Sequence, residues 1–137
     1  MGYNPILGVG SSPKTQPANL SVSETVTQVT TTGAVQYTKR LTITDDLQVQ
    51  NISATINIDF PPQRQAYFRL YRNGQLIAES SYPDMSVLAT GLVFQYESQR
   101  NDFLYVGDEI VLETDIAAGV NSGFDHSYVI QVNGLYM

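Results

Sequence analysis

The side chains that could do acid–base or metal chemistry are scarce, because the chain has one histidine, His126, and no cysteine. His126 stands between Asp125 and Ser127, so the three partners of a nucleophile–base–acid set are consecutive. Neighbours in an extended chain point to opposite faces, and adjacency therefore cannot bring these three into hydrogen-bond reach of one another. His126 is expected to be a loop histidine at the end of the Gly-rich stretch 117–125. With no His-x-x-x-His and no Cys-x-x-Cys, a zinc site is not expected. Carboxylates at Asp45, Asp46, Asp108, Glu109, Asp115 and Asp125 fall near expected strand ends, but no Asp-x-Asp-x-Asp-Gly loop surrounds them. Asp in such places caps its own turn. The reading has no catalytic residue, no cofactor and no metal, and the chain is not expected to be an enzyme.

What must position the remaining polar groups is a sheet structure. With 137 residues, the chain has the length of one domain. Charged residues make up 15% of it, below the usual ~25%, and Thr, Ser, Gln and Asn take their place. That composition, with nine tyrosines, suits half-buried pleated surfaces. The net charge of −6 opposes binding to phosphate backbones, so no nucleic-acid partner is expected. No run approaches the ~18 apolar residues of a membrane helix, and no membrane association is expected. Gly2–Gly10 shows neither a basic nor an apolar leader region, which points to synthesis in the cytoplasm.

Residues 1–19 read as an extended arm, interrupted by Pro5, Pro13 and Pro17. Tyr3, Pro5, Ile6, Leu7 and Val9 give the arm an apolar patch, and a solvated linker would have no use for it. Burying Ile6, Leu7 and Val9 contributes on the order of 5 kcal/mol before ordering costs. Residues 20–137 read as an all-β domain of about eight short strands. Val35, Tyr37, Leu41 and Ile43 share one face, with Lys39 as the exception, while Ile52, Ala54, Ile56 and Ile58 form the clearest period-2 face. Asn73-Gly74 between two strand-like runs predicts a tight hairpin. Further strands are expected over 87–96, 103–106 and 110–114, and in a last strand where Tyr128, Ile130 and Val132 point one way.

The stretch Tyr105-Val106-Gly107-Asp108-Glu109-Ile110-Val111-Leu112, an Asp-capped turn feeding a strand, resembles the penultimate hairpin of TNF/C1q-like jelly rolls. The ending from Tyr128 to Tyr136 is similar to that family's closing strand. The resemblance covers residues 87–137 and implies an antiparallel jelly-roll-like sandwich in homotrimers, with Phe94, Tyr96 and Tyr136 as candidate threefold contacts. A compact acidic jelly roll with an apolar arm also looks like virus and bacteriophage decoration (cement) proteins. That likeness implies a place on the outer surface of a capsid and a major capsid protein or other virion subunit as partner. The contacts would be the arm residues Tyr3, Pro5, Ile6, Leu7 and Val9 together with Leu135, Tyr136 and Met137. The alternative is a glycan-binding module or fibre head, in which loop tyrosines and aspartates receive sugars.

Overall fold

The computed structural model describes residues 16–59, 65–80, 92–119 and 123–137. The arm residues Tyr3, Pro5, Ile6, Leu7 and Val9 lie outside the described residues, as does the expected strand segment 87–91. The described residues form eight strands and no helix: β1 (Pro17–Val29), β2 (Val35–Thr42), β3 (Leu47–Asp59), β4 (Ala66–Arg72), β5 (Gln75–Glu79), β6 (Leu92–Leu104), β7 (Glu109–Ile116) and β8 (Phe124–Tyr136). They make two antiparallel four-stranded sheets, ordered β1-β8-β3-β6 and β2-β7-β4-β5. Among these eight strands only the β4–β5 link stays within one sheet, and every other link crosses to the facing sheet. This is the wrapped topology of a jelly-roll sandwich, as the sequence predicts.

Alternation builds the core. Ile52, Ala54, Ile56 and Ile58 of β3 and Tyr128, Ile130 and Val132 of β8 are buried, facing Leu70 of β4 with Ile110 and Leu112 of β7. At the β4–β5 hairpin Asn73 and Gly74 adopt φ of 49° and 80°, the left-handed pair that a type I′ turn requires. Asn73 also reaches back to β7: its N–H donates to the Glu109 carbonyl, and its Oδ1 accepts from the Glu109 N–H at 2.8 Å.

Three expectations change. The strands are not uniformly short, since β1, β3, β6 and β8 each run 13 residues and together make up one whole sheet. The expected separate run 103–106 is the end of β6 followed by a turn. Pro17 opens β1 rather than closing an irregular arm; a proline is tolerated as the first residue of an edge strand.

The central pair β3–β8 carries a tight constraint. A bulge between Val49 and Asn51 presses the β3 backbone against Gly134 of β8. A Cβ on Gly134 would stand 2.1 Å from the Gln48 carbonyl oxygen, so glycine alone fits there.

Candidate functional site

His126 is the first correction among the chemistry-bearing residues. It is a β8 residue, 1% exposed, between Val26 of β1 and Ile58 of β3, and not part of a loop. The inward register of Tyr128, Ile130 and Val132 continues back through His126 to Phe124. Its Nδ1 lies 2.5 Å from the Tyr128 hydroxyl. The Tyr37 ring, arriving from β2 across the sandwich, meets both edge-on, with centroids 5.5 Å from His126 and 4.5 Å from Tyr128. Burial pushes the His126 pKa down and favours the neutral imidazole, whose tautomer sets which member of the Nδ1–hydroxyl pair donates. Burial also raises the Tyr128 phenol, and it lifts Tyr37 to about 12 with help from the hydrogen bond to Glu24. All three groups are held in their uncharged forms. Ser127 and Asp125 alternate with them and face away, so the side chains needed for a triad never meet.

Around this buried group, charge seals the side of the sandwich. Glu24 of β1 sits opposite Tyr128 in register, and Lys39 of β2 reaches it with Nζ–Oε1 of 2.9 Å. Glu24 therefore accepts from both Tyr37 and Lys39, and these bonds lower its pKa. The exception on the β2 apolar face thus has a cause: β1 and β2 are edge strands of opposite sheets, and the pair spans their mouth. At the opposite edge Asp102 of β6 accepts from Arg72 of β4 and from Arg100 Nε, and Arg72 also donates to the Phe103 carbonyl at 2.5 Å.

Of the carboxylates expected to cap their own turns, Asp108 does so, whereas Asp46 serves a different turn, and Asp115 and Asp125 lie within β7 and β8, Asp115 paired with Arg69. Asp108 accepts from the Tyr105 N–H at 2.9 Å, and Asp46 accepts from the Val106 N–H at 3.0 Å. Among the described residues no group of three or more metal-ligating side chains exists. These hydrogen bonds tie the 43–46 and 105–108 turns into one end of the molecule, and the chain end joins them, because Met137 N–H donates to the Asp46 carbonyl. The same end exposes Val106 (64%), Tyr105 (49%), Met137 (46%) and Phe103 (44%). Phe103 and Tyr105 stack with centroids 6.4 Å apart. Sequence reasoning named Met137 but missed Phe103, Tyr105 and Val106 as surface residues. Tyr105 and Val106 precede the Gly-Asp turn, where an apolar pair has no core to enter.

The other named residues divide. Leu135 and Tyr136 are half-buried in β8 between β1 and β3, with Tyr136 against the core, so of the terminal trio Met137 is the exposed member. Phe94 and Tyr96 point inward from β6, and Phe94 packs on Phe68 of the facing sheet. Their inner faces serve this chain's own core.

No protein-family model matches the sequence, and no curated protein does. Solved structures do resemble the fold. FLHE matches with a TM-score of 0.51 at 10% identity, over 86% of this chain and 96% of its own. A chain of infectious bursal disease virus, Gx strain, matches with a TM-score of 0.50 at 13% identity, over 94% of this chain and 36% of its own. A family 35 carbohydrate-binding module from Clostridium thermocellum gives 0.44 at 11% identity, over 83% of this chain and 97% of its own. Identities this low speak for the fold alone: the chain is an all-β, jelly-roll-type sandwich, and a viral protein is among the structures that share it.

Proposed function

We propose that this chain is a non-enzymatic structural protein of a virion, a capsid decoration or cement subunit. In this reading it sits as a homotrimer, the assembly of TNF/C1q-like jelly rolls, on the capsid outer surface and clamps neighbouring capsid subunits. The observation that carries the proposal is the apolar end formed by Phe103, Tyr105, Val106 and Met137, pinned by Asp46 and left open to solvent. Aromatic and Met side chains gathered on a rigid end favour a protein contact over solvation. Three such ends per trimer would add their contacts through multivalency. The likeness to the infectious bursal disease virus chain supports the reading at the level of fold.

The test is co-sedimentation with shells of the virion's major capsid protein. The wild-type chain should pellet with them. Val106→Asp should stay in the supernatant with stability within about 0.5 kcal/mol of wild type, since Val106 is a surface residue. A wild-type chain that never pellets, or a Val106→Asp variant that pellets equally well, contradicts the proposal.

A further inference from the structure

The two outer faces of the sandwich differ in kind. On the β1-β8-β3-β6 sheet the register sets Ser21, Gln131 and Ser53 in one row and Ser23, Val129 and Thr55 in the next, uncharged side chains of which all but the exposed Val129 are hydroxyls or amides. The β2-β7-β4-β5 sheet gathers the charges instead. There Gln36, Asp115 and Tyr67 lie in one row across β2, β7 and β4, and Thr38, Glu113 and Arg69 lie in the next. Strands lie ~4.8 Å apart and same-face neighbours ~6.6 Å apart along a strand, so this two-by-three grid spans about 10 by 7 Å.

Over the grid lies a polar cleft of about 240 Å³, with Gln36, Thr38, Arg69, Glu113 and Asp115 in its lining. Arg69 is fixed within it. Its Nη1 sits 3.2 Å from Asp115 Oδ2 and 3.7 Å from Glu113 Oε1, and its guanidinium lies over the Tyr67 ring at 4.4 Å. Tyr67 in turn donates its hydroxyl to Glu79 of β5. Arg69, Glu113, Asp115 and Tyr67 are thus braced by one another and by Glu79 across three strands, β7, β4 and β5, which lowers the ordering cost of binding.

The volume lies below the roughly 300–1,000 Å³ of pockets that enclose drug-sized ligands, so the cleft takes about one ring. Its lining offers acceptors at two carboxylates, donors at Arg69, and both at Gln36 and Thr38. A ligand that satisfies all of them must carry donors and acceptors on adjacent atoms, as a sugar's vicinal hydroxyls do. Two carboxylates against one guanidinium leave the site with a local surplus of negative charge, which turns away phosphate, sulfate and carboxylate groups. Arg69 already pairs with both carboxylates, so a cation would have to displace its guanidinium. We propose that this cleft binds one neutral sugar ring, with Asp115 and Glu113 accepting from ring hydroxyls and Gln36 and Thr38 closing the β2 side. This site is separate from the apolar end and does not depend on the virion reading.

The experiment is an amide chemical-shift titration of the 137-residue chain with methyl glycosides of galactose, glucose, mannose and N-acetylglucosamine, with sialic acid as the anionic comparison. At least one neutral glycoside should move the amides of Gln36, Thr38, Glu113 and Asp115 with a Kd of about 1–10 mM. Gln36→Leu and Asp115→Asn should each weaken that binding about tenfold while leaving the remaining spectrum dispersed. If a methyl glycoside fails and the matching free sugar binds, the site recognises a reducing sugar rather than a glycan terminus, and the proposal stands. It is overturned if no neutral sugar shifts these amides, if shifts map to the other sheet, if both variants bind as wild type, or if sialic acid binds more tightly.

Discussion

At the scale of single residues, the central object is a neutral imidazole sealed beside two phenols. His126 binds a proton less readily in the folded chain than in the unfolded one, because burial disfavours its charge. As pH falls below the ordinary histidine value of about 6.5, the unfolded state takes up the proton first, and stability drops with a slope no steeper than about 1.4 kcal/mol per pH unit. Glu24 acts with the same sign in a lower window: its lowered pKa gives stability that is present above the ordinary carboxylate value and lost below it. His126→Phe should therefore flatten the stability profile between pH 7.5 and 5 while leaving the loss near pH 4, read from urea midpoints across that range. An unchanged profile would mean that His126 does not titrate in this way. Tyr128→Phe leaves Nδ1 buried without its hydrogen-bond partner and should cost about 1–3 kcal/mol at neutral pH, measured by the same unfolding curves. The inward place of His126 was legible in principle, because the Tyr128–Ile130–Val132 alternation runs back through it. The nearby glycines and its polarity argued for a loop, and only the packing of Tyr37 from the other sheet shows why a polar ring is sheltered there.

At the scale of elements, edges and bulges govern behaviour. β1 presents a 13-residue edge, and an inward-facing charge pair is one way to keep such an edge from pairing with another chain. Glu24 and Lys39 are partly exposed, so replacing both with Leu should leave monomer stability little changed. The same double variant should aggregate more readily, which turbidity at matched concentration would detect. Gly134→Ala is the severe change: its methyl has no space against Gln48, and a loss of about 3 kcal/mol or failure to fold is expected in thermal melts. These cases separate what a sequence can reveal. Asn73-Gly74 was readable because its hairpin is local, and the Ile52–Ile58 face because period 2 is local. The demand on Gly134 was not readable, since it comes from a bulge in β3 that meets it only in the folded sheet. Sheet order was hidden for a related reason: among the eight strands, all links but β4–β5 cross between sheets, and such links carry no pairing signal in the sequence.

At the scale of the whole molecule, an acidic sandwich offers its surroundings an apolar end and a charged face with a polar cleft. The wrapped topology places the two apart, so assembly and sugar binding can be tested independently. The all-β jelly-roll architecture followed from alternation and turn chemistry, whereas the apolar end depended on which turns and which terminus the fold gathers together. Self-association is central to the proposed clamp, because a clamp that works by summed weak contacts needs more than one copy of each contact. The decisive measurement is the solution mass of the 137-residue chain by multi-angle light scattering, beside a version lacking residues 1–12. A mass three times that of one chain is expected for the full chain, retained when residues 1–12 are removed. A single-chain mass for both would contradict the proposal.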